Sequence, residues 1–192
     1  MKFKLLQWIA FPIIWSADLL YSFSDKKDEI NADMKRLLNE IPYSKPGISA
    51  LNYLLMINRP FRNIFYYRTR KSLVLRNICR MFFKPLNTIE IEGDIRGGMR
   101  ISHNYCVIHP QTAGENLFIG HGATIGKDDK ESGVPRYPIL GDNVSIYTNA
   151  IVFGSITVGN NVVIGAGAVV NKDIPDDCTV VGNPCRIIPH FN

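Results

Sequence analysis

From residue 89 onward an aliphatic or small apolar residue returns every six positions. Ile89, Ile95, Ile101, Val107, Ala113, Ile119 and Ile125 keep the beat. Nine extra residues intervene, and the beat resumes at Leu140 and runs through Ile146, Val152, Val158, Ile164 and Val170. Gly120, Gly126, Gly141, Gly159 and Gly165 stand directly after the anchor in five of these blocks. An amphipathic helix has a period of about 3.6 residues and does not produce this pattern. Short repeats of fixed length predict a solenoid of stacked β coils. Each block is one flat side with its anchor pointing into the core, and small residues let the corner turn. With three sides, each coil takes eighteen residues. His103 and His121 then fall one coil apart on the same side, and His109 falls on the next side.

Before residue 87 the period is helical. In "SDKKDEINADMKRLLNEI", Ile30, Met34, Leu37, Leu38 and Ile41 lie at helix spacing, with Ser24 or Asp25 placed to cap. "ISALNYLLMI" and "RNIFYYRTRKSLVLRNICRMFF" predict further helical stretches up to Pro85. The division expected is a helical region over 1–86 and a β-helix with its tail over 87–192. The fold class expected is mainly β: a left-handed parallel β-helix after an α-helical preface. The apolar run from Leu5 to Tyr21 is broken by Pro12, Ser16 and Asp18, and no small-residue cleavage site follows it. It reads as a docked helix, or as a helix lying in a membrane interface.

Charge adds a second feature. Between Ile41 and Ile89 there is no acidic residue and there are nine basic ones, whereas the remainder of the chain nets −4. A belt of one sign attracts anions or pairs with acids elsewhere in the fold. Peripheral membrane contact is expected through 1–24 and the basic 59–84 stretch. No motif supports nucleic-acid binding. Cys79, Cys106, Cys178 and Cys185 form no CxxC pair and suggest ordinary thiols in a reducing compartment. The location expected is cytoplasmic, at the inner face of a membrane if the contact is made.

The stretch from Thr88 to Asn192 resembles the hexapeptide-repeat acyltransferases, most closely the serine acetyltransferase branch. The resemblance rests on "ISHNYCVI", "GHGATIG", "GDNVSI", "ITVGNNVVIGAGAVVNKDIP" and "VVGNPCRII". It implies an enzyme that moves an acetyl group from acetyl-CoA to an acceptor hydroxyl, without a metal and without a covalent intermediate. It implies a homotrimer with sites in the clefts between subunits.

The chemistry explains why a histidine suits such a corner. An attacking alcohol must lose its proton, and a neutral imidazole with a pKa near about 6.5 accepts it at cellular pH. By resemblance His103 matches the general base, with His121 the competing group. Thr148 and Ala166 would line the CoA groove, and Lys172 and Arg186 would meet the cofactor's phosphates. On the acceptor side the resemblance points to Ser102, His121, Arg136 and Tyr137. Three positions depart from the branch. Ser102 replaces an aspartate, Thr88 stands where the carboxylate that orients the base falls, and Tyr137 replaces a histidine. Glu90, Glu92 or Asp94 are the candidate substitutes for that carboxylate. These departures favour a sugar or polysaccharide-precursor hydroxyl as acceptor, with serine as the alternative. A scaffold without activity, or a metal-dependent histidine site, are the readings from other classes.

Overall fold

The computed structural model describes residues 14–41, 43, 46–128 and 137–190. The chain divides into two compact units, Met1–Leu86 and Asn87–Asn192.

The first unit is helical. A helix over 14–22 (α1) buries Ala17 and Leu20. The first part of the apolar run, residues 1–13, lies outside the described residues. Next come α2 (Lys27–Leu38), α3 (Ile48–Ile57), α4 (Arg59–Arg68) and α5 (Leu73–Phe82). Helix α2 turns Ile30, Asp33, Met34 and Leu37 inward, the i, i+3, i+4, i+7 stripe of a core-facing helix. Ser24 does not cap α2 through its first turn; its Oγ accepts the Lys26 N–H instead (3.1 Å). The second predicted helical segment is divided. Thr69 Oγ1 donates to Phe65 O at 2.7 Å, and the Ser72 N–H bonds Thr69 O, so the chain turns before α5 starts. Asn58 starts α4 by accepting the Phe61 N–H at 2.9 Å. In this unit's core, Arg68 donates through Nε and Nη2 to the two carboxylate oxygens of Asp33, at 2.9 and 3.2 Å.

The second unit is a parallel β-solenoid of about five coils. Strands β1 (Ile89–Ile91), β4 (Cys106–Ile108), β7 (Thr124–Gly126), β10 (Ile151–Phe153) and β13 (Val169–Val170) form one sheet. A second contains β2 (Asp94–Ile95), β5 (Thr112–Ala113), β8 (Ile139–Leu140) and β11 (Thr157–Val158). The third contains β3 (Arg100–Ile101), β6 (Phe118–Ile119), β9 (Ser145–Ile146), β12 (Val163–Ile164) and β14 (Cys178–Val181). The tail strand β15 (Arg186–Pro189) closes this sheet antiparallel to β14.

Register follows the sequence count. Ile95 pairs Ala113 and Ile101 pairs Ile119, eighteen residues apart. Ala113 pairs Leu140 across the insertion, so the loop does return in phase. Residues 129–136 of that loop, Arg136 included, lie outside the described residues.

Two anchors are misassigned by the six-residue beat: in the first coil Ile91, and not Ile89, pairs Ile108. Ile125 pairs Ile108, not Val107, and Ile108 is fully buried whereas Val107 is half-buried. The corner before β4 carries one residue more than its neighbours, so the strand enters the core a residue late. Because Val107 is itself aliphatic, the beat does not reveal the slip.

Another corner is held by a side-chain ladder. Asn116 donates to Asn143 (3.0 Å), Asn143 to Asn161 (3.0 Å) and Asn161 to Asp177 (2.9 Å). All four residues have φ between 53° and 61°. Asn and Asp tolerate this left-handed region better than other non-glycine residues. Asn143→Ala therefore loses two hydrogen bonds and a tolerated conformation, a cost of about 2 kcal/mol. The urea midpoint should fall accordingly, and Asn143→Gly should recover the conformational part.

Candidate active site

The candidate site lies on the corner joining the third sheet to the first. Its four levels are set by the backbone. Gly122 N–H bonds Asn104 O (3.2 Å), Asn149 N–H bonds His121 O (2.8 Å), and Gly167 N–H bonds Thr148 O (2.9 Å). Asn104, His121, Thr148 and Ala166 thus occupy equivalent places in successive coils. Thr148 and Ala166 are one coil apart, as expected.

Counted from the third sheet, where Ile101 pairs Ile119, His103 matches His121; counted from the first sheet, Asn104 does. His103 belongs to the corner with the added residue. That addition pushes the imidazole outward: His103 is exposed, with its ring centroid 6.2 Å from that of His121, edge to face. Tyr105 approaches His121 from the same corner at 5.9 Å. Its φ of 59° is a left-handed conformation uncommon for an aromatic residue. Tyr105 and Asn104 are the site residues that sequence reasoning missed. The only signal for them is the seven-residue step from Ile101 to Ile108, masked by Val107.

The corner is rigid beneath these rings. A Cβ on Gly120 would approach Thr148 N to 2.7 Å, and Gly122 has φ 66° with its Cβ direction blocked by the Asn149 side chain. Cys106 fills the place that Ala123, Ala150 and Ala168 fill in later coils, all fully buried. Its thiol donates to Gly120 O at 3.2 Å, and burial pushes its pKa up, so it serves as packing and not as a nucleophile.

Ser102 follows β3 and its Oγ donates to Ile119 O at 3.4 Å. Thr88 stands one coil below Tyr105, since Ile89 pairs Cys106, and its Oγ1 is buried without a hydrogen-bond partner among the described residues. Of the substitute carboxylates, Glu90 lies 3.8 Å from His109 Nε2, while Glu92 and Asp94 are exposed. Among the described residues no ion pair joins His103 to a carboxylate. His109 sits past β4 on the next side, and His190 Nε2 is 2.8 Å from Thr179 Oγ1. Neither shares the corner with His103.

Two imidazoles and a phenol stand at the corner's first levels, Tyr147 (45% exposed) stands beside Thr148 at the next, and Ala166 and Gly167 stand at the last, where a Cβ on Gly167 would meet nothing. Lys172 lies just past β13, and Arg186 opens β15; both are exposed at the last coil. Tyr137 is half-buried where the loop rejoins the coil. Among the described residues no group of three or more His, Cys, Asp or Glu side chains converges to hold a metal.

A three-sheeted hexapeptide coil with paired histidines on one corner defines the class as a hexapeptide-repeat acyltransferase. No protein-family profile matches the chain. The serine acetyltransferase of Staphylococcus xylosus is 38% identical over 171 residues, covering 84% of this chain and 76% of that protein. That of Synechococcus elongatus is 46% identical over 126 residues, covering 64% of this chain. The chain spans about half (51%) of the length of that second relative. The crystal structure of Neisseria gonorrhoeae serine acetyltransferase in complex with serine superposes with a TM-score of 0.63 at 28% identity. The match covers 83% of this chain and 68% of that one. The chain belongs to the serine acetyltransferase family.

Proposed function

We propose that the protein transfers the acetyl group of acetyl-CoA to the hydroxyl of L-serine, with His103 as general base. The observation that carries this reading is the placement of His103. It is exposed on a corner bulged by one residue, beside His121 and on the same corner as Thr148 and Ala166. The imidazole takes the hydroxyl proton as the oxygen attacks the thioester carbonyl. Backbone N–H groups at the corner stabilise the tetrahedral oxyanion. Collapse expels the CoA thiolate, which takes the proton back from the imidazolium, so the base is regenerated without a covalent acyl-enzyme.

The pantetheine arm would run past Thr148 and Ala166, with Lys172 and Arg186 meeting the phosphates. Arg136 and Tyr137 on the inserted loop, with Ser102 and His121 on the corner, would hold the acceptor. A homotrimer would bring each loop to a neighbour's corner. Four unpaired, buried cysteines suit the reducing cytoplasm as its place of action.

The named relatives support serine better than the sugar hydroxyl expected from the sequence. One observation favours a different acceptor. Neither Thr88 nor Ser102 supplies a carboxylate, and Thr88 Oγ1 has no hydrogen-bond partner among the described residues. The experiment is acetyl-CoA consumption by the purified full-length chain, with L-serine and with hexoses and amino sugars offered separately. Turnover with serine at millimolar concentration is the expected result. Turnover with a sugar alone would replace serine by the sugar reading, and no turnover with any alcohol would leave a scaffold.

A further inference from the structure

On α5 the residues Val74, Ile78, Met81 and Phe82 lie at i, i+4, i+7 and i+8, one side of the helix, and are 72%, 39%, 80% and 44% exposed. The helix docks by another side, through the fully buried Cys79, whose Sγ lies 3.4 Å from Tyr66 Oη. Helix α3 ends in two more exposed apolar residues, Met56 and Ile57. Arg62 ties these two ends together. Its Nη2 donates to Met56 O and its Nη1 to Lys84 O, both at 3.0 Å. One guanidinium therefore spans the gap between the end of α3 and the residues just past α5. The exposed apolar face of α5 is the patch, and Arg62 links the residues just past it to the end of α3.

The segment that carries the patch has charge of one sign, since no Asp or Glu occurs between Ile41 and Ile89. We propose that this patch docks on an anionic lipid surface. Its apolar residues would enter the headgroup–acyl boundary, while the exposed Arg59 and Lys84 meet lipid phosphates. Two copies meeting patch to patch would set like charges against each other, which disfavours a self-complementary dimer here. No described helix is long and apolar enough to cross a membrane, and α5 has only ten residues, so the contact is with the surface.

The test uses the full chain and sedimented vesicles. Protein should pellet with equal-part phosphatidylglycerol and phosphatidylcholine vesicles at about 0.1 M salt, and remain in solution with phosphatidylcholine alone. At about 1 M salt, where the screening length falls to about 3 Å, binding should weaken. Met81→Ser/Phe82→Ser should lower the partition coefficient by about tenfold or more, and Val74→Ser/Ile78→Ser should act in the same direction. Circular dichroism of both variants should match the parent, since these side chains are exposed. Three results would overturn the proposal. One is equal binding to neutral vesicles; another is undiminished anionic binding by both variants. The third is a lower oligomeric state of the variants with no vesicle binding by the parent, which assigns the patch to a second copy.

Discussion

His103→Ala should lower acetyl transfer to serine by about 10²- to 10⁴-fold, the range a positioned general base contributes. The loss should appear in kcat, because the missing proton transfer belongs to the transition state and not to ground-state binding. Structure should survive, since the ring is exposed and carries no core contact. His121→Ala is the control. Its ring lies 6.2 Å from His103 and 5.9 Å from Tyr105, so its loss should unsettle the acceptor side and raise the acceptor KM more than it lowers kcat. The reverse outcome, with His121→Ala silent in KM and His103→Ala nearly active, reassigns the base. Steady-state kinetics with acetyl-CoA saturating separates the two.

The second large effect is on stability. Arg68→Ala should destabilise the helical unit by about 3–5 kcal/mol, because it leaves a carboxylate buried without its counter-ion. The Arg68 and Asp33 side chains are 1% and 0% exposed, and the guanidinium spans both carboxylate oxygens. Asp33→Ala should cost a similar amount for the mirror reason. An apolar pair of similar volume, Asp33→Leu with Arg68→Met, should recover most of the loss, since it removes the desolvation penalty of both charges. Urea unfolding followed by helical circular dichroism reads the parent and the three variants, and a double variant no more stable than either single variant would mean that desolvation of the pair does not set the loss.

Much of the solenoid was legible because its constraint is one-dimensional. A residue buried on each side of each coil must recur at a fixed interval, and Ile95, Ile101, Ile119, Leu140, Ile146 and Ile164 do so in register. The insertion's return in phase was legible for the same reason. The helical unit was less so. Its stretches were visible by period, but the break at Thr69–Ser72 depends on one hydroxyl bonding a carbonyl four residues back. The Asp33–Arg68 pair joins residues 35 apart, and no local pattern marks it.

The site divides along the same line. His103 and His121 were legible as residues on one side, since coil length places them, and Thr148 and Ala166 were named through the family resemblance. The vertical order was not. Counted from the first sheet, His121 stands over Asn104, and Tyr105 enters the site, because one added residue bulges the corner while Val107 keeps the aliphatic beat.

The sequence by itself determined the coil, its three-sided period, the identity of the corner that carries the histidines, and the helical character of the preface. Repetition makes those features local, so they survive without knowledge of distant contacts. The tertiary structure alone decided which aliphatic residue enters the core after the bulge, how the two imidazoles and the phenol meet, which charges are buried together, and which face of α5 is left to solvent. Each of these depends on what lies one coil or one helix away, and hydrogen-bond register and close packing settle it only when the chain is folded.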